Sequence, residues 1–342
     1  MVTQALSIYF TAPRQVQIRS EELPATGPGQ VLVKSLLSAI SSGTEMLVYR
    51  GQFPVGMAID EEITALGGNF GYPLRYGYAV AGRVIEIGQG VDQDWKGRLV
   101  FAFQPHTSHF LAEPAGLIAL PEGITPEQAV FLPNMETAVN FLMDGAPLIG
   151  EQVVVFGQGI VGLLTTALLS QFPLGRLVTL DRHPIRRQAS LALGATTCLD
   201  PSAPDLNHQL QTLLPGGADL VFELSGLPET LDQAIDSTGF SGRVVIGSWY
   251  GQKRANLDLG GVFHRRRIHI SSSQVTTLAP HLSGRWDKTR RFELAWEMIR
   301  RLKPERWISQ RFAQAQAAQA YQLLDENPGE AIQVVLTYTS PE

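Results

Sequence analysis

Val153-Val154-Val155-Phe156-Gly157-Gln158-Gly159-Ile160-Val161-Gly162 is the stretch from which the rest of the chain is read. Its four leading apolar residues fit a buried parallel strand, since such strands are covered on both faces and need not alternate. A G-x-G-x-x-G turn follows at Gly157, Gly159 and Gly162. The first glycine permits the tight turn, the second lets backbone approach a pyrophosphate, and the third lets a helix pack closely on the strand. Residues 163–169 are apolar and lack Gly and Pro, as the start of a buried helix requires. The N-terminus of that helix offers unpaired N–H groups and a positive dipole end to phosphate. A second apolar run at 176–180 ends at Asp181, near the spacing of roughly 20 residues at which an acid meets the ribose. A dinucleotide site is expected here, with Gly157, Gly159, Ile160, Val161 and Gly162 at the pyrophosphate and Asp181 and Arg182 at the ribose.

The chain has 342 residues, 44% of them hydrophobic, enough for two domains with sizeable cores. A formal net charge of −5 gives no basic field to recruit nucleic acid or an acidic membrane. The arginine clusters at Arg186-Arg187, Arg265-Arg266-Arg267 and Arg290-Arg291 read as solvated faces. There is no apolar run of membrane-spanning length. Residues 1–5 lack the regions of a signal peptide, and one cysteine, Cys198, permits neither an intrachain disulfide nor a multi-cysteine zinc site. A cytoplasmic protein acting on a small-molecule substrate, without nucleic-acid or membrane partners, is expected.

From residue 5 to about 119, short strands separated by turn residues suggest a compact β-barrel. Residues 57–66 are read as a short amphipathic helix closed by Gly67-Gly68. Thr125-Pro126 is a helix start, with Thr as N-cap and Pro at the first helical position. From there to about 274 strands alternate with helices, the pattern of a doubly wound parallel sheet. Two helices, at 289–302 and 314–325, and a strand at 331–337 follow. A strand after a finished nucleotide domain is expected to rejoin the first domain. The nucleotide domain is then an insertion: residues 1–137 with 276–342 form one domain and 138–275 the other, with ligands expected in the cleft between them.

The sequence resembles the medium-chain dehydrogenase/reductase superfamily, the alcohol dehydrogenase-like enzymes, over nearly its whole length. Pro73, Gly77, Gly82, Val84 and Gly88 match the spacing of P-x-x-x-G-H-E-x-x-G-x-V-x-x-x-G. Ser42-Gly43-Thr44-Glu45 echoes C-G-T-D, and Gly329-Glu330-Ala331-Ile332-Gln333 echoes the ending G-E-[AS]-I-[RK]. The resemblance implies an α/β fold: a GroES-like β-barrel catalytic domain with an inserted Rossmann sheet. It also implies a homodimer. Ile40-Ser41-Ser42-Gly43-Thr44-Glu45, the following Tyr49-Arg50-Gly51, and Ile246 to Gly251 look most like the subgroup containing bacteriochlorophyllide a dehydrogenase.

The departures from the family are chemical. Its catalytic zinc is held by the Cys of C-G-T-D and the His of G-H-E, where this chain has Ser42 and Tyr78. Neutral hydroxyls are poor zinc ligands beside thiolate and imidazole. No zinc is expected, and no residue is assigned to metal. A hydrogen-bond donor must then stabilise the oxyanion that hydride transfer leaves on a carbonyl. Tyr78, Thr44 and Ser42 are the expected catalytic residues, with Glu45 orienting them. His106 and His109 are read as structural. Ser225, Gly247 and Thr137 are expected beside the nicotinamide. Glu136 stays unassigned, Trp249 and Tyr250 are candidate pocket walls, and residues 51–73 form a candidate lid or specificity element. Asp181 favours NAD, because its charge repels the extra phosphate of NADP, while Arg182, Arg186 and Arg187 leave NADP open. The leading expectation is a zinc-independent NAD(P)-dependent oxidoreductase of an alcohol/carbonyl pair. A zinc-free quinone or enoyl reductase using NADPH, and a catalytically inactive dinucleotide-binding protein, are the alternatives.

Overall fold

The computed structural model describes residues 3–60 and 64–338. Two compact units emerge: Met1–Pro133 with Ile299–Glu342, and Asn134–Met298.

In the second unit six parallel strands form one sheet. Their order is Thr197–Leu199, Arg176–Leu180, Gln152–Phe156, Ala218–Glu223, Thr238–Ile246, His269–Ser272. In chain order within the unit this is 3-2-1-4-5-6, so the order reverses beside Gln152–Phe156, where doubly wound sheets bind ligand. The unbroken apolar run of that strand has a direct cause. Val154 and Phe156 enter one buried cluster with Val178, Leu180, Val221 and Val244. Val153 and Val155 enter another, on the opposite face, with Leu177, Leu220, Phe222 and Val245. Each face is covered, so no position along the strand can be polar without loss.

The unit boundaries differ from those read from sequence, which placed the breaks after 137 and 275. Arg291, in the helix Lys288–Leu302, is fully buried and reaches back to both segments. It donates to Glu136 Oε1, Asn140 Oδ1 and the carbonyls of Val275 and Thr277. This tie carries residues 134–137 and 276–298 into the second unit.

In the first unit one mixed sheet runs Ile308–Ala313, Gln333–Thr337, Val31–Ile40, Val80–Ile87, Leu99–Ala102, Ile118–Ala119, with His109–Ala112 also on Val31–Ile40. Val334 lies opposite Ile40, so the late strand does join the first unit. Val31, Val33, Val80, Val84, Val100, Phe110 and Leu117 form its core. A hairpin, Thr3–Ala12 with Gln15–Leu23, pairs antiparallel beside it.

The helix expected over 57–66 is absent at its start; residues 61–63 lie outside the described residues. The N–H of Phe70 donates to the Met57 carbonyl at 2.8 Å and that of Ile59 to the Gly68 carbonyl at 3.0 Å. Met57 and Ile59 thus pair with Phe70 and Gly68 across the segment, and Thr64–Leu66 forms one short 3-10 turn. Cross-chain backbone bonds captured what amphipathic spacing had suggested would be helical.

Candidate active site

The nucleotide cradle sits at the end of Gln152–Phe156. Gly157 has φ +89, and a Cβ there would lie 2.6 Å from the Leu224 carbonyl oxygen. At Gly162 a Cβ would lie 2.0 Å from the Gly157 carbonyl oxygen, so only glycine lets the helix Ile160–Leu169 seat on the turn. Gly159, the N-cap of that helix, differs: nothing lies within 4 Å of where its Cβ would be. The space over Gly159 is open, at the N-terminus of the helix that begins with Ile160. Ile160 itself is buried.

Asp181 follows the strand Arg176–Leu180 and is 6% exposed. Its Oδ2 accepts the Gln158 N–H at 2.8 Å and its Oδ1 the His183 N–H at 2.8 Å. One carboxylate therefore braces both the glycine turn and the loop after the strand, while its remaining lone pairs can accept from a ligand hydroxyl. The arginines divide. Arg187 is committed to the Asp181 and Arg182 carbonyls and to Asp200 Oδ2 at 2.9 Å. Arg186 lies 4.0 Å from Asp181 Oδ2, and burial lowers its pKa. Arg182 is exposed beside His183.

Glu223 is fully buried at the carboxyl end of Ala218–Glu223. Its Oε1 accepts the Ser225 N–H at 2.8 Å and the Ser225 hydroxyl; its Oε2 accepts the Tyr250 hydroxyl at 2.5 Å. Burial, then the Glu223 charge, raises the Tyr250 pKa strongly. So Glu223 pins the loops carrying Ser225 and Tyr250. Ser248 adds a tie, accepting the Gly226 N–H at 2.9 Å. Gly247 is a packing position, since a Cβ would lie 2.3 Å from the Phe141 ring. Thr137 is half-buried in the helix Leu132–Gly145.

In the first unit the expected hydroxyls meet, with one change. Tyr78 Oη donates to Ser41 Oγ at 2.6 Å, with Thr44 Oγ1 at 3.5 Å. Ser41, not Ser42, is the tyrosine's partner. Burial raises the Tyr78 pKa, although the Ser41 and Thr44 contacts pull the other way. Glu45 is fully buried beneath them: its Oε1 accepts the Ser41 N–H at 2.8 Å, and its own N–H donates to the Ser41 carbonyl at 3.0 Å. Both are held at the start of the helix Thr44–Arg50. An aromatic run connects Phe53, Phe70, Tyr76 and Tyr78, with successive ring centroids 5.1, 5.9 and 6.2 Å apart. Phe53 and Phe70, from the 51–73 segment, are thereby linked to the tyrosine through Tyr76. Arg50 is spent on Asp325 Oδ1 at 2.6 Å. His109 contacts Ser108 Oγ at 3.1 Å and stands outside this set.

Residues 161–292 match the family model described as "Zinc-binding dehydrogenase". Over 350 residues the chain is 25% identical to a D-guloside 3-dehydrogenase of Escherichia coli (strain K12), covering 96% of this chain and 98% of that relative. It is 28% identical over 263 residues to an (R,R)-butanediol dehydrogenase of Bacillus subtilis (strain 168), covering 69% and 75%. Among solved structures, a short chain alcohol dehydrogenase from E. coli CFT073, complexed with cofactor NADH, superposes with a TM-score of 0.78 at 19% identity, covering 98% and 99%. Over nearly its whole length the chain is similar to enzymes of the medium-chain dehydrogenase/reductase superfamily. It is an oxidoreductase of the alcohol dehydrogenase-like kind.

That likeness raises the question of which groups the superfamily's site would hold in this chain. A nicotinamide dinucleotide fits: the turn is open over Gly159, and Asp181 has accepting capacity left. Zinc does not fit the donor set. Ser42 and Tyr78 carry hydroxyls where the superfamily pattern has thiolate and imidazole, and Tyr78 is engaged with Ser41. Glu136 takes the Arg291 guanidinium at 2.8 Å, so its charge is already balanced. No helix among the described residues is long and apolar enough to cross a membrane.

Proposed function

We propose that this oxidoreductase transfers hydride between a nicotinamide dinucleotide and an alcohol/carbonyl pair, with hydroxyl donors in place of a metal. The observation that carries the reading is the Tyr78–Ser41–Thr44 cluster, in which a half-buried tyrosine is bonded to a serine at 2.6 Å. The dinucleotide, when bound, supplies or accepts the hydride; the side chains manage the proton. Tyr78 donates into Ser41 Oγ, which leaves the serine's own proton to be donated onward. A donor that is itself hydrogen-bonded is polarised and donates more strongly. Serine backed by tyrosine therefore suits the oxyanion that forms as a carbonyl is reduced. In the reverse direction the pair takes the alcohol proton only after it has released one of its own to solvent. Ser42, a catalytic candidate by position, is left a lesser part.

NAD is the proposed cofactor. The support is Asp181, held by two backbone N–H groups, and the commitment of Arg187 to carbonyls and Asp200. The segment 51–73 is proposed to shape the substrate site, because its aromatic run ends on Tyr78. Named relatives act on a guloside and a butanediol, so secondary alcohols and their ketones are the first substrates to try. Purified protein should turn over such a pair with NAD(H) while carrying no stoichiometric zinc, and prolonged dialysis against a chelator should leave the rate unchanged. One tightly held zinc per chain, lost together with activity, would overturn the reading.

A further inference from the structure

A buried polar chain lies behind Ser41 and involves residues far apart in sequence. Glu45 Oε2 contacts His106 Nε2 at 2.9 Å and accepts the Tyr321 hydroxyl at 2.5 Å. His106 Nδ1 meets Ser38 Oγ at 2.7 Å, and Ser38 Oγ meets Tyr338 Oη at 2.8 Å. Ser38, Glu45, His106 and Tyr321 are all 0% exposed. One directional run uses every polar hydrogen: Tyr338 donates to Ser38, Ser38 to Nδ1, and Nε2–H to Glu45. His106 also borders the other half of the cluster. A Cβ on Gly77, φ +113, would lie 2.6 Å from His106 Nε2, so the ring lies against the residue preceding Tyr78. The His106 N–H donates to the Tyr76 carbonyl at 3.4 Å.

We infer that His106 is a positioning residue of this enzyme: it holds Glu45 on the Ser41 backbone and flanks Gly77, and so sets the Ser41 and Tyr78 hydroxyls against each other. This rests on the proposed role of the Tyr78–Ser41 pair. His106 is not in the hydroxyl cluster and moves no proton in the reaction, because the link from Glu45 to Ser41 runs through a backbone N–H. Its effect reaches the hydroxyls from two sides, Glu45 below Ser41 and Gly77 beside Tyr78. Tyr321 supports the same carboxylate from the helix Ala317–Glu326.

The test uses the full chain labelled with ring-carbon-13 tyrosine, the Tyr78 signal being identified by its loss in Tyr78→Phe. His106→Leu should move the Tyr78 Cζ resonance and lower kcat by roughly tenfold or more, in the range seen when supporting partners of site residues are removed. NADH affinity should stay within about twofold, since this network belongs to the first unit and the Gly157–Asp181 cradle to the second. His106→Gln, which keeps an N–H for Glu45, should bring both readouts back toward wild type. Tyr321→Phe should move the same resonance in the same direction, and it serves if His106→Leu does not fold. An unmoved Tyr78 signal in folded His106→Leu, or in Tyr321→Phe, overturns the inference. Wild-type turnover in Tyr78→Phe would instead sink the proposed chemistry, while a shifted resonance would still support the positioning.

Discussion

Tyr78 and Ser41 lie 37 positions apart, yet their hydroxyls are 2.6 Å apart, with the tyrosine donating. The pair occupies the part of the superfamily pattern where metal ligands are expected, displaced by one residue from Ser42. Its geometry makes the serine the presented group and the phenol its support.

Replacement of either hydroxyl should therefore be felt in the chemical step. Tyr78→Phe and Ser41→Ala should each lower kcat by roughly 10²-fold, the usual scale for a general acid–base group, whereas Ser42→Ala should stay within about threefold. Tyr78 has a pKa raised by burial, so the protonated form persists beyond the ordinary phenol value near 10. Because the shift is upward, carbonyl reduction should show no loss from this group between pH 7 and about 9. A steady-state pH profile falling with an apparent pKa well under that of free tyrosine would rule the assignment out.

The three glycines of the turn should separate by effect. Gly159→Ala meets empty space in the protein alone, so the variant should fold with a loss of about 1 kcal/mol or less while NADH binding falls by tenfold or more. At Gly162 the added carbon would lie 2.0 Å from a carbonyl oxygen, so Gly162→Ala should destabilise the fold itself by about 1–3 kcal/mol. Thermal melts with and without NADH distinguish these outcomes. A Gly159→Ala protein that binds NADH as tightly as wild type contradicts the assigned pyrophosphate position.

Asp181 has two duties, and Asp181→Asn should expose both. The amide can accept from only one of the two backbone N–H groups at Gln158 and His183 without pointing its own donor at the other. A loss of about 1–3 kcal/mol in stability is expected from that mismatch. Removal of the negative charge should also cut the preference for NADH over NADPH by about tenfold, roughly 1.4 kcal/mol of discrimination. Paired affinity measurements check it. An unchanged ratio would mean that the carboxylate only braces the turn.

Local signals made much of this legible from sequence, and only local ones. The run from Val153 to Gly162 yields strand, turn and helix because each residue there has a steric or burial reason to be what it is. The hydroxyls at 44 and 78 follow from a fixed motif spacing. Ser41 was adjacent to the residue expected and was missed because a one-residue displacement depends on where the helix Thr44–Arg50 begins, which Glu45 decides by bonding back to Ser41. Tyr321 and Tyr338 carry no local mark at all. They reach the site because Gln333–Thr337 pairs with Val31–Ile40 and the preceding helix is carried along. Glu223 did leave a trace, a charged residue closing an apolar run, which spacing alone could not distinguish from a strand end.

Arg291 provides the last test, since it fixes the extent of the second unit and bears on metal binding. The side chain is 0% exposed and its five donor contacts go to Glu136, Asn140, Val275 and Thr277. Arg291→Leu removes the cation from a carboxylate that is 3% exposed, and loss of one partner of a buried pair costs about 3–5 kcal/mol. The double variant Arg291→Leu with Glu136→Leu should recover part of that loss, because no buried charge is then left without its partner. Urea denaturation of the wild type, Arg291→Leu, Glu136→Leu and the double variant gives the coupling directly. The Arg291→Leu protein should also gain affinity for divalent cations only if Glu136 is accessible to them, so a zinc titration that remains featureless agrees with a site built from hydroxyls. A single-variant loss under about 1 kcal/mol would place the pair in the class of weak surface bridges and remove it as the tie that holds residues 134–137 to the helix Lys288–Leu302.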